Sequence, residues 1–212
     1  IQQTTQKPAI LHCTTRDHNR LSLQSLLWGA QALKIQTILA ATGDMVALSD
    51  QAVTTTVRAA TVFDLISMSL SGGLLTGAVF DPHPEVNGLT TAVRRLKRKA
   101  DAGAQFAVTQ PVYDEKTADE ISIATRDINI PHIVGILPLL TPRHSEFLHH
   151  KVAGIAVPKD LRKRMAKAKD PVLEGVANAQ DLLILAKERF SGACIMPPFD
   201  HYEILFDLLP VA

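Results

Sequence analysis

The sequence is short of the features that would send a chain into a membrane, onto nucleic acid or out of the cell. No apolar run reaches the roughly 18 to 20 residues of a membrane span. The opening IQQTTQKPAI has neither the charged start nor the apolar stretch of a signal peptide, and the expected location is cytoplasmic. Lys plus Arg (22) and Asp plus Glu (21) nearly cancel, leaving a formal net charge of +1. There is thus no electrostatic argument for nucleic acid or an anionic surface as a partner. Two isolated thiols, Cys13 and Cys194, lie far apart and make neither a disulfide framework nor a C-x-x-C metal site. Both read as buried strand residues, and no metal is expected. There is no G-x-G-x-x-G phosphate loop, no convincing repeat, no low-complexity tract and no linker. An initiator methionine is also missing: the chain opens on Ile1, as a fragment would.

What is present is an alternation of two periodicities. With 212 residues, 46% of them apolar and 20% charged, the chain is ordinary globular material for one domain with a substantial core. Short apolar runs that suit buried strands fall at 9–14, 35–41, 75–80, 106–110, 132–137 and 193–196. Between them the spacing predicts helices near 21–33, 54–70, 89–102, 115–126, 143–150, 161–169 and 171–189, with a last one at 202–209. Asp17 or Asn19 can cap the first of these, and Asp170-Pro171 is a strong start signal for the longest. Six strands joined through helices, with no hairpin between them, require a parallel sheet with crossovers. The pattern alone leaves two architectures open, a doubly wound sheet and a (β/α)₈ barrel short of two units.

In either architecture the chemistry collects at the C-terminal ends of the strands. There the sequence carries His12 with Thr14 to Arg16, then Asp44, then Asp81 and His83, then Gln110 with Tyr113 and Asp114. Polar groups at such positions cost stability if buried without partners.

The strings LHCTTRDHN, LAATGD, LKRKADAGAQFAVTQPVYD, HIVGILPL and CIMPPFDHYE resemble, in this order and spacing, the methylenetetrahydrofolate reductase family, from about Pro8 to Leu209. The resemblance implies an α/β fold, a (β/α)₈ TIM barrel, incomplete, with about six of its eight units. It also implies that 1–212 is a single partial reductase domain starting just before the third barrel strand. By the same resemblance the protein uses FAD to pass a hydride from NAD(P)H to methylenetetrahydrofolate. Asp44 matches the family carboxylate near the electron-rich end of the flavin, where a negative charge tunes the ring's potential. Arg98 and Lys99 match the basic pair at the FAD phosphates. His12 and His83 match cofactor-side histidines, and Gln110 matches the glutamine that contacts folate, its amide offering both a donor and an acceptor to a pterin edge.

Departures from the family pattern accompany these matches. The glutamate that serves as general acid on the first barrel strand has no counterpart here. The stretch after Asp44 lacks the expected proline and tyrosine, Thr42 and Val79 replace other flavin-contacting side chains, and Ala92 and Arg95 replace polar contacts of the basic helix. Beside the reductase, two other readings stand. One is a non-catalytic remnant that binds flavin or folate or pairs with a partner subunit. The other is a pterin-binding methyltransferase barrel. The reductase reading carries the expectation of a homo-oligomer or of a fused homocysteine methyltransferase domain.

Overall fold

The computed structural model describes residues 1–43, 59–82 and 88–209. Among these, six strands stand in one sheet in chain order. They are β1 (Ile10–Thr14), β2 (Thr37–Ala41), β3 (Leu75–Phe80), β4 (Phe106–Pro111), β5 (His132–Ile136) and β6 (Gly192–Ile195). The described helices are α1 (Gln2–Thr5), α2 (Arg20–Ala32), α3 (Val62–Ser71), α4 (Leu89–Asp101), α5 (Glu115–Thr125), α6 (Pro142–Lys151), α7 (Lys159–Lys167), α8 (Pro171–Arg189) and α9 (Ile204–Leu208). A sheet whose strands follow chain order has no switch point, which removes the doubly wound alternative. The architecture is that of six units of a (β/α)₈ barrel. The chain divides into two compact units, Ile1–Val79 with Arg95–Ala107, and Phe80–Arg94 with Val108–Ala212.

In the first unit β1 pairs with β2 and β2 with β3, all parallel, with His12 opposite Leu39 and Leu39 opposite Gly77. Alternation along β1 sends Cys13 into the core and leaves Ile10, His12 and Thr14 exposed on the other face. The core joins Cys13, Ile38, Ala40 and Ala78 of the strands to Leu23 and Leu27 of α2 and Leu65 and Ile66 of α3. Both helices begin on reciprocal caps: Asn19 accepts from the Ser22 N–H, and Thr61 accepts from the Asp64 N–H while Asp64 accepts from that of Thr61. Of the two caps open in the sequence for α2, Asn19 serves, and Asp17 instead sits in a turn at φ 61°.

In the second unit β5 and β6 pair in parallel, Ile133 opposite Gly192. Tyr113, Leu139, Leu148, Ile155, Val157, Leu161 and Met165 form its core. Asp170 accepts from the N–H groups of Val172 and Leu173, with Pro171 in the first turn, so α8 starts where its sequence signal lies. Gly175 in α8 allows the helix to lie directly on the Leu139 carbonyl. Two details differ from the sequence reading. Residues 2–5 form a short helix inside what reads as a polar stub. Cys194 is half-buried rather than buried, because β6 stands at the end of the strand order and is packed less completely than β2 or β4.

Candidate functional site

The first unit carries the cationic residues that the resemblance singles out. Arg98 and Lys99 occupy the last turn of α4, a helix whose Ala92 and Leu96 are buried while Arg94, Arg95, Lys97 and Arg98 are exposed. Arg98 lays its guanidinium over the Phe63 ring, 4.8 Å from the centroid, which restrains the side chain without burying it. Lys99 turns toward the sheet, where its ammonium donates to the Val79 carbonyl at 2.6 Å, near the C-terminal end of β3. A guanidinium at the surface and an ammonium drawn to a strand end suit the oxygens of a phosphate-bearing cofactor, and the donor set fits FAD in that respect.

His12 lies on the exposed face of β1, two residues before the strand ends. Beyond β2 the chain turns at Gly43, whose φ of +82° suits glycine, and a Cβ there would lie 2.8 Å from Cβ of Arg16 and 3.2 Å from Cβ of Thr14. The turn that leads to Asp44 is therefore drawn against the end of β1. Asp44 itself and His83 lie outside the described residues.

The second unit carries the amide and an acid. Gln110 is half-buried at the end of β4, and its backbone is held on both sides. The Thr109 hydroxyl donates to the Gln110 carbonyl at 2.7 Å and accepts the Gly135 N–H at 2.8 Å. Gly135 has no room for a side chain, since a Cβ would lie 2.5 Å from the Thr109 carbonyl oxygen. Above Gln110 runs the connection from α6 to α7, and its Gly154, at φ +80°, touches two side chains at once. A Cβ on Gly154 would sit 3.3 Å from Oδ2 of Asp81 and 3.4 Å from Cγ of Gln110. Asp81, the first residue after β3, has an exposed side chain.

The same connection borders a cavity of about 260 Å³ whose lining includes Pro111, Tyr113, His149, Gly154 and Arg162. The Tyr113 hydroxyl is buried with no hydrogen-bond partner, and loss of solvent pushes its pKa up, so the phenol stays protonated. His144, at the start of α6, accepts the Leu140 N–H on Nδ1 and packs against Phe199 at 5.4 Å between ring centroids. Burial holds its pKa below the usual histidine range. Gly154 escapes the sequence reading, whereas Tyr113 is among the strand-end residues it names. A glycine just past a helix end signals a turn, but nothing local tells what the turn packs against.

The strand order defines a barrel-type α/β protein, a class whose ligand sites lie at the C-terminal ends of the strands. Residues 1–193 match the family model for methylenetetrahydrofolate reductase, and the chain belongs to that family. It is 29% identical over 135 residues to a probable methylenetetrahydrofolate reductase (NADPH) of Caenorhabditis elegans. That match covers 62% of this chain and 20% of the nematode protein, so the chain spans about a fifth of the length of this curated relative. Among solved structures, a Clostridium thermocellum protein that binds two copies of 5-methyl-5,6,7,8-tetrahydrofolic acid superposes with a TM-score of 0.67 at 17% identity. The superposition covers 97% of this chain and 72% of the other and shows a shared fold. No described helix is long and apolar enough to cross a membrane.

Proposed function

We propose that this chain carries the cofactor- and folate-facing part of a cytoplasmic, FAD-dependent reductase that converts 5,10-methylenetetrahydrofolate to 5-methyltetrahydrofolate with NAD(P)H, in one-carbon metabolism. The observation that carries the proposal is the family match over residues 1–193, with cationic groups near one strand end and an amide at another. The folate bound by the Clostridium protein of like fold is consistent with it.

In this reading Arg98 and Lys99 meet the phosphates of FAD, and His12 and His83 lie on the cofactor side. Asp44 faces the electron-rich end of the ring, where its charge disfavours the anionic reduced form. FAD, when bound, supplies the hydride relay between nicotinamide and folate. Gln110 orients the pterin by offering its amide to the ring edge, from a strand end whose backbone is tied by the Thr109 hydroxyl.

The test is an anaerobic mixing experiment on the full-length protein. FAD absorbance should fall on addition of NADPH or NADH and return on addition of methylenetetrahydrofolate. A protein that binds no flavin, or whose reduced flavin ignores the folate, contradicts the proposal.

A further inference from the structure

Asp81 has no role in the account so far, yet the fold sets its carboxylate beside the Gln110 side chain. Both pack on one glycine, Gly154, whose missing Cβ would lie 3.3 Å from Oδ2 of Asp81, 3.4 Å from its Cγ and 3.4 Å from Cγ of Gln110. Any other residue at position 154 would need to hold φ near +80° as an L amino acid, and its Cβ would bear closely on the Asp81 carboxylate. The backbone of this connection is thus a common wall for an acid and an amide that come from the ends of neighbouring strands in the sheet order.

The chemistry of the pair is directional. An ionised carboxylate accepts hydrogen bonds on two oxygens and donates none, whereas a glutamine amide both accepts and donates. Side by side, they complement a planar edge on which an amino group and a ring N–H stand next to a carbonyl. Such an edge belongs to a 2-amino-4-oxo heterocycle, as in the pterin of a folate. Two N–H groups of the ring can meet the carboxylate while the amide serves the remaining positions. A bidentate contact of this kind fixes the ring's rotation in its plane as well as its affinity.

We propose that Asp81 is a further substrate-binding residue, reading the 2-amino edge of the folate ring together with Gln110, and that Gly154 is the positioning residue that keeps the two side chains together. The inference rests on the folate reading above and adds to it the part of the ring that is recognised and the residue that recognises it.

Isothermal titration of the full-length protein with 5-methyltetrahydrofolate and with its 2-desamino analogue separates the possibilities. Asp81→Asn turns part of the acceptor into a donor, so it should weaken binding of 5-methyltetrahydrofolate by about tenfold or more, the usual consequence of losing a charged hydrogen bond. Binding of the desamino analogue should fall by a clearly smaller factor, since it keeps the ring N–H contact but never makes the amino contact that the substitution removes. Gly154→Ala should also weaken the natural ligand while leaving FAD affinity unaltered. Equal losses for both ligands would make Asp81 a structural residue, and no loss for either would remove it from the site; each result overturns the inference while the folate reading survives. If Asp81→Asn fails to fold, the unmutated protein decides, because it must bind the desamino analogue about tenfold or more weakly. Equal affinity for the two ligands overturns the inference. A protein that binds neither ligand instead overturns the folate reading itself.

Discussion

At the strand ends of the first unit the polar groups that matter are cationic donors, Arg98 on Phe63 and Lys99 on the Val79 carbonyl, whereas the second unit offers an acid and an amide, Asp81 and Gln110, packed on Gly154. The two sets suit different ligands. Donors with a permanent charge suit phosphate, where each charged hydrogen bond contributes about 1.5 to 3 kcal/mol and geometry is forgiving. An acid and an amide suit a neutral, planar ring, where discrimination depends on each partner sitting opposite its complement. The supporting structure differs accordingly. Arg98 and Lys99 project from a helix end on long side chains, while Gln110 is held by Thr109 and Gly135. On the proposed function, the difference predicts that cofactor affinity and substrate affinity can be broken separately.

Close packing offers a parallel contrast, and it predicts the largest effects. Gly175 of α8 lies against backbone, the Leu139 carbonyl, so no side-chain rotation can make room for a larger residue. Gly175→Ala should cost about 3 kcal/mol or more, enough to move the denaturation midpoint sharply or to prevent folding. Gly77 of β3 lies instead against a side chain, the Phe106 ring. Gly77→Ala should cost about 1 to 3 kcal/mol, and adding Phe106→Leu should restore part of it. The contrast collapses if chemical denaturation finds the Gly77 variant as damaged as the Gly175 variant, or finds no recovery in the double mutant.

The smallest expected effect is a pH dependence. His144 is buried and its folded pKa is lowered, so the native state resists protonation while the unfolded chain titrates near the ordinary value of about 6.5. The native state keeps its full stability above that value and loses some as the pH falls from it toward the lowered folded pKa. His132 is shifted the same way, again by desolvation, and contributes to the same acid limb. His144→Gln retains an acceptor for the Leu140 N–H and removes the titration. The difference between urea midpoints at pH 7.5 and pH 5.5 should therefore shrink in that variant, and an unchanged difference would assign the acid limb to other groups.

Much of the fold was legible because buried strands in a parallel sheet are short apolar runs with sharp ends. The reading of Leu75 to Phe80 agrees with β3 residue for residue, and Asp170-Pro171 marks the start of α8 through cap chemistry that is local in sequence. Helix α7 begins at Lys159, ahead of the apolar Leu161, because its first turn is polar and periodicity gives no signal there. The short helix at 2–5 lacks both an apolar face and a side-chain cap, so nothing local announces it. Lys99 and Gln110 were singled out by resemblance, and their roles stand as proposed; the structure adds that the Lys99 ammonium donates to the Val79 carbonyl and that the Gln110 carbonyl accepts from the Thr109 hydroxyl. The placement of Gly154 was not legible at all, since Asp81 and Gln110 are remote in sequence and meet it only in the folded unit.

The most direct test of the division between a phosphate-binding set and a ring-binding set is a crossed titration of the full-length protein with FAD and with 5-methyltetrahydrofolate. Replacing Arg98 and Lys99 together by Ala should weaken FAD binding by about tenfold or more and leave ring recognition by Gln110 in place. Gln110→Ala should weaken folate binding and leave FAD affinity within about twofold of the parent. Two variants that each lose one ligand and keep the other are the predicted result; a double mutant that binds FAD as tightly as its parent, or a Gln110 variant with unaltered folate affinity, contradicts it.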